Sequence, residues 1–169
     1  MSAAADNNAL ARLRLVVFDV DGVFTDGRFY LSDDGVESKS FNTQDGFGVR
    51  QLLNAGVHVA VISGRTSAAV AQRMKELGVI HVVQGCGDKV AALRDLAARL
   101  DILPAECAYV GDDVPDMPLL REVGVSVAVA NAVVAVRNYC DYTTLANGGF
   151  GAVREVCDLV LAARAEAHL

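Results

Sequence analysis

Short runs of consecutive apolar residues alternate along the chain with longer segments whose apolar positions recur every three or four residues. The runs fall at 14–19, 57–62, 79–83, 107–111 and 125–129, with a weaker one at 141–144. The segments between and after them, 45–55, 67–77, 89–100, 114–122, 132–138 and 151–167, have helix length and helix period. The segment after Asp88 shows the pattern best: Asp88 can cap it, Val90, Leu93, Ala97 and Leu100 follow at helical spacing, and Pro104 lies just beyond. Strands that are apolar throughout and alternate with helices predict an α/β fold, a doubly wound and mostly parallel sheet covered on both faces. Ligands of such sheets bind beyond the carboxyl ends of the strands. One stretch breaks the rhythm: Asp34-Gly35, set between short alternating segments, predicts a β-hairpin inserted over about 27–41, directly after the first strand. No linker, repeat or low-complexity tract divides the chain. It reads as one domain over 10–169, with a frayed polar N-terminus at 1–9 and a C-terminal tail over about 148–169.

Composition narrows the partners. A chain of 169 residues fits one domain, and 53% hydrophobic content suits an ordinary globular core. A net charge of −6 argues against nucleic acid or an anionic membrane surface. An anionic small substrate then requires positive charge gathered at one place. Cys86, Cys107, Cys140 and Cys157 show no C-x-x-C spacing and sit among apolar neighbours, which predicts reduced thiols in a cytoplasmic protein. Neither a signal-peptide pattern nor an apolar run of membrane-spanning length is present.

Polar groups gather where the predicted strands end. Asp19 and Asp21 follow the first strand, Ser63-Gly64-Arg65 the second, Lys89 opens the helix after the third, and Gly111-Asp112-Asp113 with Asp116 follow the fourth. Any one of these has an ordinary structural explanation, as a helix cap, a turn serine or a solvated lysine. In a doubly wound sheet all four points meet at one edge, and together they suit phosphoryl transfer. Asp19 can attack phosphorus and carry the phosphoryl group as an aspartyl-phosphate. Asp21 can protonate the leaving oxygen and then deprotonate the attacking water. Mg²⁺ favours octahedral oxygen coordination, which the side chains of Asp19 and Asp112 and the backbone carbonyl of Asp21 can supply. Ser63 and Lys89 can hold the phosphoryl oxygens.

The set Asp19-x-Asp21-Gly22-Val23, Ser63, Lys89 and Gly111-Asp112-Asp113-x-x-Asp116 resembles the haloacid-dehalogenase superfamily of phosphatases. Residues 21–27, 41–50, 62–65 and 148–158 further resemble the family of phosphatases acting on 3-deoxy-D-manno-octulosonate 8-phosphate, a lipopolysaccharide precursor. That resemblance implies no large cap domain. It also implies a homotetramer in which four hairpins assemble and a neighbour's C-terminal tail closes the site. The implied substrate contacts are Asp21, Asn42, Thr43, Gln44, Asp45, Gly46, Arg50, Arg65, Arg73 and Lys89. Their arginines would supply the local positive charge, since the guanidinium fork grips a carboxylate at two points. Two positions depart from the family pattern: Gln44 and Phe150 stand where arginine is common. A related nonulosonate 9-phosphate, a sialic-acid-type sugar, is therefore an alternative substrate.

Three other readings compete. A calcium loop over Asp19-x-Asp21-Gly22 puts Val23 at a ligand position and its glycine too early. A phospho-accepting receiver module, non-enzymatic, shares the sheet class and the acidic Mg²⁺ site but carries its acceptor after the third strand, where this chain has Gln84-Gly85. A nucleotide-binding P-loop lacks its glycine-lysine run.

Overall fold

The structure, a computed structural model, describes residues 6–167. The chain starts with a short helix, α1 (Asn7–Ala11), and the first strand, β1 (Leu15–Phe18). A hairpin of β2 (Tyr30–Leu31) and β3 (Glu37–Ser38) follows. Then come α2 (Thr43–Asn54), β4 (His58–Ile62), α3 (Ala68–Leu77), β5 (His81–Val83), α4 (Lys89–Leu100) and β6 (Cys107–Gly111). The chain continues through α5 (Met117–Leu120), β7 (Val125–Ala128), α6 (Val134–Tyr139), β8 (Tyr142–Thr143) and α7 (Ala152–Ala167).

Among the described residues, six strands form one sheet in the order β5-β4-β1-β6-β7-β8, and every neighbouring pair is parallel. All four residues of β1 and all five of β6 are buried, which is why these strands read as unbroken apolar runs. The two halves wind in opposite directions from β1 and β6, and by the right-handed rule for parallel crossovers the helices of the β1→β4→β5 half belong on one face and those of the β6→β7→β8 half on the other. On the first side α7 packs along α2 and α1. The winding direction changes between β1 and β6, so the carboxyl ends of these two strands flank the switch point where a ligand is expected. This is the predicted doubly wound sheet with an inserted hairpin.

Three details differ from the sequence reading. Residues 7–9 of the expected frayed N-terminus belong to α1, capped by the Asp6 side chain on the Asn8 N–H, while residues 1–5 lie outside the described residues. The helix expected over 114–122 is split into a 3₁₀ turn (Val114–Asp116) and the single turn of α5, because Pro115 and Pro118 restrict the backbone to helix starts. The expected tail over 148–169 is a packed part of its own chain as far as residue 167, since α7 docks on α2 and α1.

Candidate active site

Asp19 follows β1 directly and still belongs to the sheet's ladder, its N–H donating to the Val110 carbonyl at 3.0 Å. The chain then turns sharply: the N–H groups of Val23, Phe24 and Thr25 all point at the Val20 carbonyl. Gly22 makes this turn with φ +89°, and a Cβ there would collide with the Asp112 carboxylate. Gly148 lies against the Gly22 carbonyl from the other side, where a side chain would again collide. Two glycines thus let the loop after β6 and the loop before α7 close on the turn that carries Asp21.

Asp19, Asp21, Ser63, Arg65, Lys89 and Asp112 line one cavity of about 330 Å³ at the carboxyl edge of the sheet. Lys89 Nζ lies 3.2 Å from Asp19 and 2.7 Å from Asp116. Ser63 is buried, and its Oγ accepts from the Arg65 N–H at 3.3 Å. Burial, with repulsion from Asp116, raises the Asp19 carboxyl to about 6 despite the opposing pull of Lys89. Burial and repulsion from Asp116, Asp19 and Asp113 raise Asp112 to about 7. Burial pulls Lys89 down, but the Asp19 and Asp116 carboxylates outweigh it and leave the ammonium above its ordinary value.

Such crowding of acids suits a divalent cation, which would remove the repulsion. Carboxylate oxygens of Asp19, Asp112 and Asp116 lie within 4.8 Å of one another. Asp116 is not free to serve. One of its oxygens accepts from the Tyr109 hydroxyl at 2.6 Å and from Lys89, and the other accepts from the Asp112 and Asp113 N–H groups at 3.0 and 3.3 Å. Its carboxylate is therefore a brace that fixes Lys89 and the loop bearing Asp112. Asp19 and Asp112 remain as side-chain donors, and the donor set of hard oxygens fits Mg²⁺.

The other expected substrate contacts do not line this cavity. Asn42 caps α2, its side chain accepting from the Gln44 N–H. Thr43 and Gln44 are exposed in the first turn of that helix. Asp45 is fully buried and turned the other way, accepting from the Arg154 N–H at 2.8 Å, so it caps the start of α7. Gly46 packs under the Arg73 guanidinium, which also meets Glu76 at 3.4 Å. Arg50 donates to the Glu76 carbonyl at 3.3 Å. Only Asp21, Arg65 and Lys89 of the expected contacts reach the cavity within one chain.

The sequence reading missed three neighbours of the site. Tyr109 is a fully buried β6 residue whose hydroxyl joins Lys89 and Asp116. Glu37 and Lys39 come from the hairpin: Lys39 pairs with Asp21, and Glu37 accepts from Arg65 at 2.7 Å. The only signal for the last two was alternation, which puts residues 37 and 39 on one face of an extended segment that starts at β3.

The pattern of the haloacid dehalogenase-like hydrolases matches residues 78–156. The 3-deoxy-D-manno-octulosonate 8-phosphate phosphatase KdsC of Salmonella typhi is 47% identical over 152 residues, 90% of this chain and 81% of that protein. The chain belongs to this family of phosphatases. The crystal structure of the Yersinia pestis phosphatase superposes with a TM-score of 0.94 at 42% identity, covering 98% of this chain and 90% of that one. The Moraxella catarrhalis phosphatase, solved in complex with magnesium, phosphate and KDO, superposes with a TM-score of 0.92 at 42% identity, covering 95% and 92%. Family membership and the cavity's lining agree on hydrolytic phosphoryl chemistry. No helix among the described residues is long and apolar enough to cross a membrane.

Proposed function

We propose that this chain is a Mg²⁺-dependent phosphomonoesterase that converts 3-deoxy-D-manno-octulosonate 8-phosphate to the free sugar acid and phosphate, a step in lipopolysaccharide precursor synthesis. The observation that carries this is the meeting of Asp19, Asp21, Ser63, Lys89 and Asp112 in one cavity, on a chain that matches the curated phosphatases over 90% of its length. An Asp19 oxygen attacks phosphorus while the bond to the sugar oxygen breaks, and Asp21 gives that oxygen a proton so that it leaves as an alcohol. Asp21, now ionised, takes a proton from water as the water oxygen attacks the phosphoryl group on Asp19, which restores both carboxyls and releases phosphate. Ser63 donates its hydroxyl to a phosphoryl oxygen, and Lys89 stabilises the charge that develops there. When bound by Asp19, Asp112 and the Asp21 backbone carbonyl, Mg²⁺ supplies further charge neutralisation at the phosphoryl group.

Arg65, half-exposed in the cavity wall, is the cation placed to meet the substrate's carboxylate. We further propose that Asn42, Thr43, Gln44, Gly46, Arg50 and Arg73 act on substrate across a subunit boundary of a homotetramer. The exposed Tyr30, Leu31 and Val36 of the hairpin support that assembly. A neighbour's C-terminal tail closing the site belongs to the same proposal. The four cysteines, none joined in a disulfide, support a cytoplasmic location.

Phosphate release across a panel of sugar phosphates tests the substrate. The 8-phosphate octulosonate should be hydrolysed far faster than neutral sugar phosphates. Equal rates would overturn the assignment, and a preference for a nonulosonate 9-phosphate would transfer it to the related sugar. Light scattering should report a mass near four chains, and a monomer would refute the assembly.

A further inference from the structure

The hairpin places a charged pair behind Asp21 that nothing in the phosphoryl chemistry above employs. Lys39 follows β3, and its side chain is fully buried (0% exposed). It pairs with Asp21 Oδ1 and stands 3.5 Å from Glu37 Oε1. Arg65 lies 3.7 Å from Asp21 Oδ2 and 2.7 Å from Glu37 Oε2. The four charges therefore close a ring, Lys39–Asp21–Arg65–Glu37, with Phe29 beneath both cations at 4.3 Å from Arg65 and 6.0 Å from Lys39. The ring ties the hairpin, which forms no ladder with the main sheet, to the turn after β1 and to the end of β4.

The two cations differ in position. Arg65 lines the cavity and can reach a ligand, whereas Lys39 does not line it and is sealed behind the carboxylate it holds. A buried ammonium is costly unless paired, and an apolar residue would anchor a hairpin at lower cost. We propose that Lys39 is a positioning residue for the acid/base Asp21: it fixes Oδ1, so that Oδ2, on the Arg65 side, carries the proton that passes to the leaving oxygen and later returns from water. Glu37 completes the arrangement by holding Lys39 and Arg65 in register. This rests on the reading of Asp21 as the acid/base. It makes the hairpin part of the reaction within a single chain, independent of any role at a subunit boundary.

Lys39→Met and the polar, uncharged Lys39→Gln test it, with Lys39→Arg as the rescue. Two substrates are compared in the wild type and each variant: an alkyl sugar phosphate, whose leaving oxygen needs a proton, and p-nitrophenyl phosphate, whose phenolate leaves without one. In Lys39→Met and Lys39→Gln, kcat on the sugar phosphate should fall roughly 10- to 100-fold with KM little changed, as expected for a misplaced catalytic group. On p-nitrophenyl phosphate a burst of nitrophenolate should persist while turnover slows, with phosphoenzyme accumulating because water activation also needs Asp21. Lys39→Arg should recover most of the loss. Equal losses on both substrates without phosphoenzyme would make Lys39 a structural anchor and overturn the proposal, as would wild-type kinetics in either neutral variant. A wild type with no preference for the sugar acid would sink the substrate reading alone, because this comparison requires only an alkyl phosphate.

Discussion

Asp116→Asn separates a brace from a metal ligand at nearly constant shape. Asp116 is 1% exposed and accepts four hydrogen bonds, from Lys89, Tyr109 and the N–H groups of Asp112 and Asp113. All four partners are donors, so either orientation of an amide sets its NH₂ against a pair of them. A hydrogen bond to a charged group contributes about 1.5–3 kcal/mol, and breaking a buried ion pair costs about 3–5 kcal/mol. The substitution also removes a charge that repels Asp19 and Asp112, which returns part of that cost. The net loss should lie near the lower end, about 3 kcal/mol, equivalent to a melting temperature lower by about 6–12 °C for a chain of this size. Calorimetric or fluorescence melting measures it, and Mg²⁺ titration of the same variant measures the second half of the claim. Mg²⁺ affinity should fall only a few-fold in Asp116→Asn, whereas Asp112→Asn should lose nearly all of it. Equal loss of Mg²⁺ affinity in both variants would refute the assignment of Asp116 as a brace, and an unchanged melting temperature would refute the magnitude.

Two further outcomes follow from the same structure. Asp45 is held above its ordinary carboxyl value by burial, against the pull of the Arg154 and Gly151 N–H groups; Asp45→Asn keeps an acceptor for Arg154 and sheds the buried charge, so it should change stability by less than about 1 kcal/mol, while Asp45→Ala should cost about 1–2 kcal/mol as a lost helix cap, both read by chemical denaturation. Loss of activity in Asp45→Asn at unchanged stability would instead make it a substrate contact. The raised carboxyls of Asp19 and Asp112 hold protons in the folded chain that the unfolded chain releases, so without a cation their contribution to stability is fully present below about pH 4 and is lost as pH rises toward about 7. A bound divalent cation removes that loss, so the gain in melting temperature from Mg²⁺ over a chelator control should grow from about pH 5 to about pH 8; an equal gain at both would contradict the crowding argument.

What was legible in the sequence depended on which physical force left a pattern. The strands were legible because β1, β4 and β6 are buried on both faces and so contain almost nothing polar. Asp19, Asp21, Ser63, Lys89 and Asp112 were legible because each follows a strand, and parallel topology carries strand ends to one edge. Asp45 was expected at the substrate from the family resemblance, and its place as a cap was not legible because it depends on the docking of α7, a helix more than a hundred residues later. Tyr109 was read as one more apolar strand residue, since its hydroxyl's partners lie on α4 and in the loop after β6. Arg50 and Arg73 were expected beside Arg65 from the family resemblance. Only β4 leads its arginine to the sheet's carboxyl edge, and the other two lie on helices that flank it.

The central claim is that Asp19 carries the phosphoryl group. Asp21→Asn should slow both release steps, so enzyme mixed with the sugar-acid phosphate and Mg²⁺ and quenched in acid should be caught with phosphate attached. Intact mass should show one phosphoryl group per chain, and peptide mapping should place it on the peptide bearing Asp19, labile to hydroxylamine. Asp19→Asn treated in the same way should carry none and turn over no substrate. Phosphate mapped to another residue, or turnover by Asp19→Asn with deamidation excluded, would contradict the account.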